Sequence, residues 1–119
     1  MGDNRRAVGC AGEEMACRYL EEHGYTIVDR NWRTRSGELD VVARQGGVTV
    51  FVEVKARRGR TFGEPEEAVT PAKMRRIRGL ATEYLAAGAH SPEVRFDVIG
   101  LTLGPDGNLL ELRHIPDAF

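Results

Sequence analysis

Four side chains between Gly37 and Arg60 could do chemistry together: Glu38, Asp40, Glu53 and Lys55. They lie in GELDVVARQGGVTVFVEVKARRGR, which reads as two strands around a tight turn. The Gly46-Gly47 pair tolerates the positive φ angles that a two-residue hairpin turn needs. The flanks are rich in Val, Leu and Phe, as strands are. With these glycines at the turn, Gln45 faces Val48, Asp40 faces Glu53, and Glu38 faces Lys55. Side chains alternate with period two, and directly opposed residues share a face. Leu39, Val41 and Ala43 are therefore expected beside Val48, Val50, Val52 and Val54. Glu38, Asp40, Glu53 and Lys55 are expected on the other face, with Val42 and Phe51. Two opposed carboxylates repel each other, and more so when desolvated. A positive group should sit between them. Lys55 is one candidate; a divalent cation such as Mg2+ is the other, because hard cations take oxygen ligands. The plainer alternative is a surface hairpin whose charges are simply solvated.

The elements around this hairpin follow from periodicity. Val8, Gly12, Met15, Ala16, Tyr19 and Leu20 make a helical stripe over about residues 6–23, with Gly24 as its stop. Glu13 sits at the margin of that stripe, either as a third acid for the hairpin or as an ordinary edge glutamate. Residues 25–28 read as a first strand, continued by the polar, basic DRNWRTRS of an edge strand and loop. Trp32 there could stack on a base or cap the core. Residues 56–64 (ARRGRTFGE) read as a loop whose arginines could hold phosphates. Residues 65–69 suggest a helical turn. Thr70-Pro71 is a strong helix start, and Met74, Ile77, Leu80, Ala81, Tyr84 and Leu85 give the buried face of a second helix ending near Gly88. Lys73, in its first turn, either reaches the acidic residues or snorkels at the surface. Residues 95–103 and 109–115 read as two further strands, separated by a Pro105-Asp106-Gly107-Asn108 turn. Asp97 is expected to be a buried partner for an arginine or lysine. A helix between the third and fourth strands implies a parallel crossover.

Bulk properties bound the function. At 119 residues with 41% hydrophobic and 29% charged side chains, the chain reads as one globular domain, 1–119. No run of about 18 apolar residues suggests a membrane span. The opening MGDNRRAVG lacks the apolar core of a signal peptide, so a cytoplasmic location is expected. Cys10 and Cys17 suit neither zinc nor a disulfide, and His23, His90 and His114 are scattered. The net charge of −1 does not by itself announce a nucleic-acid partner. Its distribution is more informative: from Arg30 to Arg60, eight basic residues stand against three acidic ones, and all three acids belong to the hairpin cluster. A basic surround with a small acidic centre is what handling a phosphodiester requires.

An acid on the first helix, then Asp, then Glu-x-Lys on the next strand resembles the PD-(D/E)xK nuclease superfamily. The Asp40–Glu53 spacing and the helix-borne Glu13 look most like its archaeal Holliday-junction-resolvase branch. More narrowly, the chain resembles the YraN-like family of uncharacterised bacterial proteins. The matching residues are Gly12-Glu13 with Ala16 and Leu20; Gly24-Tyr25; Asn31-Trp32-Arg33; Gly37-Glu38-Leu39-Asp40; Phe51-Val52-Glu53-Val54-Lys55 with Arg57; Gly63, Lys73 and Phe96-Asp97. Leu39 stands where the superfamily label has proline, which leaves the carboxylate of Asp40 in place. The resemblance implies an α/β, restriction-endonuclease-like fold: a mixed β-sheet flanked by helices in the order αβββαββ. It implies metal-dependent phosphodiester hydrolysis on DNA, including branched or recombination and repair intermediates. Asp40, Glu53, the Val54 carbonyl and Glu13 would hold Mg2+ (or Mn2+). Lys55 would orient or deprotonate water or stabilise the pentacovalent state, and Glu38 would position Lys55 or bind metal through water. Arg33, Arg35, Arg57, Arg58, Arg60 and Lys73 would contact nucleic acid. A homodimer would suit the two-fold symmetry of a junction. The alternatives are a non-catalytic nucleic-acid-binding module on the same fold and a protein-interaction domain.

Overall fold

A computed structural model describes residues 4–59, 69–88 and 93–119, with side chains from residue 8 onward. The element order is α1 (Asn4–Glu22), β1 (Thr26–Thr34), β2 (Gly37–Gln45), β3 (Val48–Arg58), α2 (Pro71–Ala86), β4 (Glu93–Leu103) and β5 (Leu109–Ile115). The five strands form one mixed sheet in the order β1-β2-β3-β4-β5. Only β3–β4 is parallel, as expected for two strands joined through a helix. This α/β arrangement is consistent with a restriction-endonuclease-like fold.

The hairpin has the expected register. Gln45 pairs with Val48 and Val41 with Val52, around a turn in which Gly46 has φ 57°. Alternation then feeds two apolar layers. Val41, Ala43, Val50, Val52, Ile99 and Leu101 pack under Ala16, Cys17 and Leu20 of α1. Val42, Phe51, Phe96 and Val98 pack under Ile77, Leu80, Ala81 and Tyr84 of α2. Each helix thus covers one face of the sheet. Full burial of a residue such as Leu20 or Leu80 contributes about 2 kcal/mol.

Three features set the position of the acidic residues. α1 seats directly on β3: a Cβ added to Gly12 would lie 2.5 Å from that of Ala56, so glycine permits the close approach. Thr70 caps α2 by accepting a hydrogen bond from the Lys73 N–H, which fixes the first turn of that helix against the sheet. The β2–β3 ladder stops at Val41–Val52. Beyond it the Val54 N–H donates to the Asp40 carboxylate at 2.9 Å instead of continuing the ladder. The two strands fork there.

The fork corrects one expectation. Leu39 packs beneath α2, whereas Val41 packs beneath α1, although residues two apart in a regular strand share a face. Opposite this stretch on β1, Arg30 pairs with Val41 and Trp32 with Leu39 in regular register, the register shift of this ladder lying earlier, between Ile27 and Asp29. Asn31 between them takes a left-handed backbone (φ 53°), a conformation asparagine tolerates. A second correction concerns residues 56–58, expected in a loop. They extend β3, because the parallel partner β4 continues opposite them to Arg58–Leu103. Residues 60–68, including Arg60, Gly63 and all but Val69 of the expected helical turn at 65–69, lie outside the described residues. Trp32 serves the core: it packs on the α2 cluster, edge-on to Tyr84 at 5.2 Å.

Candidate functional site

Antiparallel pairing brings the C-terminal part of β3 to the same end of the sheet as the β1–β2 turn. That end holds Arg33, Arg35, Glu38 and Asp40 from one side and Glu53, Lys55, Arg57 and Arg58 from the other. α1 adds Glu13 and α2 adds Lys73. The close seat at Gly12 turns the next residue toward the fork, where carboxylate oxygens of Glu13, Glu38 and Asp40 lie within 4.8 Å of one another. All three are half-buried. Such a set could hold a metal ion, since three convergent oxygens suit a hard cation.

Asp40 occupies the centre. Its burial and the nearby Glu53 push its carboxyl up to about 8, against the pull of the Val54 N–H. Burial also raises Glu13, with Asn31 hydrogen-bonding its side chain in opposition. In an extended strand the N–H and C=O of one residue point to the same side. The Val54 carbonyl therefore faces the fork, as its N–H does.

Glu53 closes the other side and is buried. Two ammonium groups meet it: Lys73 Nζ at 3.1 Å and Lys55 Nζ at 3.7 Å from Oε1. Burial lowers Lys55, assisted by the adjacent Lys73, while Lys73 is raised: burial acts to lower it, and contacts with Lys55 and Glu53 outweigh that. Glu38 is held on the side of β1, where Arg33 donates to it through Nε at 2.9 Å and Nη2 at 2.8 Å. The expected partnership of Glu38 with Lys55 is thus replaced by one with Arg33. Arg33, expected on nucleic acid, grips a site carboxylate. Arg35 is exposed on the β1–β2 turn, Arg58 is exposed at the end of β3, and Arg57 is half-buried beside it.

A second polar network is centred on Asp97 of β4, which pairs with Val52, the residue before Glu53. Asp97 is fully buried and accepts from Arg95 through two hydrogen bonds of 2.8 Å, from the Asp117 N–H at 3.0 Å, and meets His114 Nε2 at 2.7 Å. Burial would raise the Asp97 carboxyl, but Arg95, His114 and Asp117 outweigh it and hold it down at about 2. Arg95 also donates to the Tyr25 hydroxyl at 2.7 Å, and His114 Nδ1 lies 3.1 Å from that of Tyr19. Both carboxylate oxygens of Asp97 are engaged, which fits the structural role expected of it. Periodicity did not reveal His114 as its partner, nor Asn31 as a neighbour of the acids, and of the two alternatives for Lys73 the structure shows the one that reaches them. Composition adds a signal for Lys73: of the 17 basic residues only Lys55 and Lys73 are lysines.

No helix among the described residues is long and apolar enough to cross a membrane. Comparison with solved structures finds Pyrococcus furiosus SfsA, whose structure was determined in complex with Ca2+, at 18% identity and a TM-score of 0.39. The match covers 92% of this chain and 63% of that one, so the chain spans less than two thirds of SfsA. Among curated proteins, a UPF0102 protein of Symbiobacterium thermophilum is 55% identical over 115 residues, covering 96% of this chain and 97% of the relative. One from Rhodococcus jostii is 53% identical over 114 residues, covering 95% and 96%. With residues 12–101 matching the family as a whole, the chain belongs to the uncharacterised protein family UPF0102, the YraN-like family its motifs resemble.

Proposed function

We propose that this UPF0102 protein is a divalent-metal-dependent nuclease that hydrolyses DNA phosphodiesters. The supporting observation is the convergence of Glu13, Glu38 and Asp40 at a strand fork, with Glu53 and Lys55 on its other side. Close-packed acids are unfavourable without a cation, and burial first, with the Glu53 carboxylate second, raises the Asp40 carboxyl. The donors are all oxygens, which fits Mg2+ or Mn2+. Asp40 and Glu13 would hold the ion, with Glu53 and the Val54 carbonyl, and Glu38 would join them directly or through water. A bound ion would neutralise charge on the scissile phosphate and acidify a water molecule. Lys55, whose charged form is disfavoured by burial and by Lys73, is suited to accept a proton from that water at Nζ. Arg35, Arg57 and Arg58 share the same end of the sheet and would hold backbone phosphates.

Purified protein should cleave branched, flapped or single-stranded DNA with Mn2+ or Mg2+ and not with chelator. Asp40→Asn and Glu53→Gln should abolish cleavage while leaving the fold intact. If either variant cuts at the wild-type rate, these roles are wrong. Salt-sensitive binding without products in every condition would instead identify a non-catalytic nucleic-acid-binding module.

A further inference from the structure

Lysine use in this chain is strongly uneven. Fifteen of the 17 basic residues are arginines, and the only two lysines both reach the same buried carboxylate, Glu53. The nearer is not the one two residues away on β3 but Lys73, carried in from α2 at 3.1 Å. A compact ammonium on a flexible stem leaves a carboxylate more readily than a guanidinium that grips both oxygens. Arg33 holds Glu38 by two donors, Nε and Nη2, both on Oε2. Charge balance gives Lys73 a task. Among the described residues, Arg33 meets Glu38, and Lys55 and Lys73 meet Glu53, so cations stand at these acids before any ion enters.

We propose that Lys73 is a tethered counter-ion of Glu53 that a divalent metal must displace, so that this residue sets the metal affinity of the site. The proposal rests on the metal-dependent reading above and adds a positioning residue to it. Lys73 keeps Glu53 compensated and in place while the site is free of metal. On metal binding the ammonium leaves Glu53 and the carboxylate turns to the ion. Removing the charge at position 73 then makes the site more negative and tightens metal binding. A surface lysine with no such role would leave metal affinity unchanged.

Calorimetric titration of Mn2+ into the wild type, Lys73→Gln and Lys73→Arg tests this. Lys73→Gln should tighten Kd by about tenfold, as loss of a unit charge a few ångströms from a divalent ion predicts at moderate ionic strength. Lys73→Arg should bind no more tightly than the wild type. A Lys73→Gln protein with wild-type or weaker affinity overturns the proposal. A second measurement needs no folded variant. Two lysines give two side-chain 15Nζ signals, and the one from Lys73 must move when Mg2+ is added to the wild type. A signal unmoved at saturating Mg2+ overturns displacement. If the wild type binds neither ion, the nuclease reading falls together with this inference; if it binds Mn2+ and Lys73→Gln matches it, only this inference falls.

Discussion

Replacing Asp40 by asparagine should stabilise the metal-free protein, and by an amount that depends on pH. Asparagine keeps an oxygen to accept the Val54 N–H and removes only the charge. In the folded chain, burial and the Glu53 carboxylate raise the Asp40 carboxyl from 3.8 to about 8. A group whose folded pKa lies above its unfolded value favours folding most at pH values below both. That advantage is lost between about pH 4 and pH 8, as the unfolded chain ionises freely and the folded one resists. A shift of this size corresponds to at most about 6 kcal/mol, and movement of the nearby lysines reduces it to about 2–3 kcal/mol. The variant should therefore match the wild type within about 1 kcal/mol at pH 4.5 and exceed it by about 2–3 kcal/mol at pH 9. In thermal melts with chelator present, that is a rise in Tm of about 8–12 °C at pH 9. Mg2+ at pH 9 should raise the Tm of the wild type and not that of the variant. If the two proteins keep a constant difference in Tm from pH 4.5 to 9, the Asp40 carboxyl is not electrostatically strained in the fold, and the argument for a cation at the fork loses its basis.

Other perturbations separate the scaffold from the site. Gly12→Ala should cost about 1–3 kcal/mol in urea unfolding, because the new methyl collides with Ala56, and it should weaken Mn2+ binding measured by calorimetry. Asp97→Ala should cost about 3–5 kcal/mol, since it leaves Arg95 and the Asp117 N–H without their buried acceptor. Because Asp97 is held at about 2, the stabilisation it gives is present above pH 4 and fades as pH falls toward 2. Urea midpoints of wild type and Asp97→Ala should accordingly converge between pH 4 and pH 2. Arg58→Ala should leave stability unchanged and reduce by roughly one unit the slope of log affinity for DNA against log salt.

The hairpin register was legible in the sequence because a glycine pair between two β-branched runs permits few alternatives. The two helix faces were legible for a similar reason, periodicity. The face of Leu39 was not, because alternation assumes a regular strand and the hairpin forks there. Arg57 and Arg58 read as loop on local composition, yet tertiary pairing with β4 keeps them extended. Extending the hairpin register brought Asp40 near Glu53, although the ladder itself ends at Val41–Val52. The arrival of Glu13 from α1 on one side, and of Lys73 from α2 on the other, depends on where two helices cross the sheet, which spacing along the chain does not encode.

The crossing at Gly12 acts as a pivot without a spacer. One residue inserted just after it would swing the glutamate about 100° around the helix axis and leave the strands as they are. Helix phase relative to that glycine is thus a quantity the chain has to conserve to single-residue accuracy, whereas β5, remote from the acids, can lengthen or shorten without changing their aim.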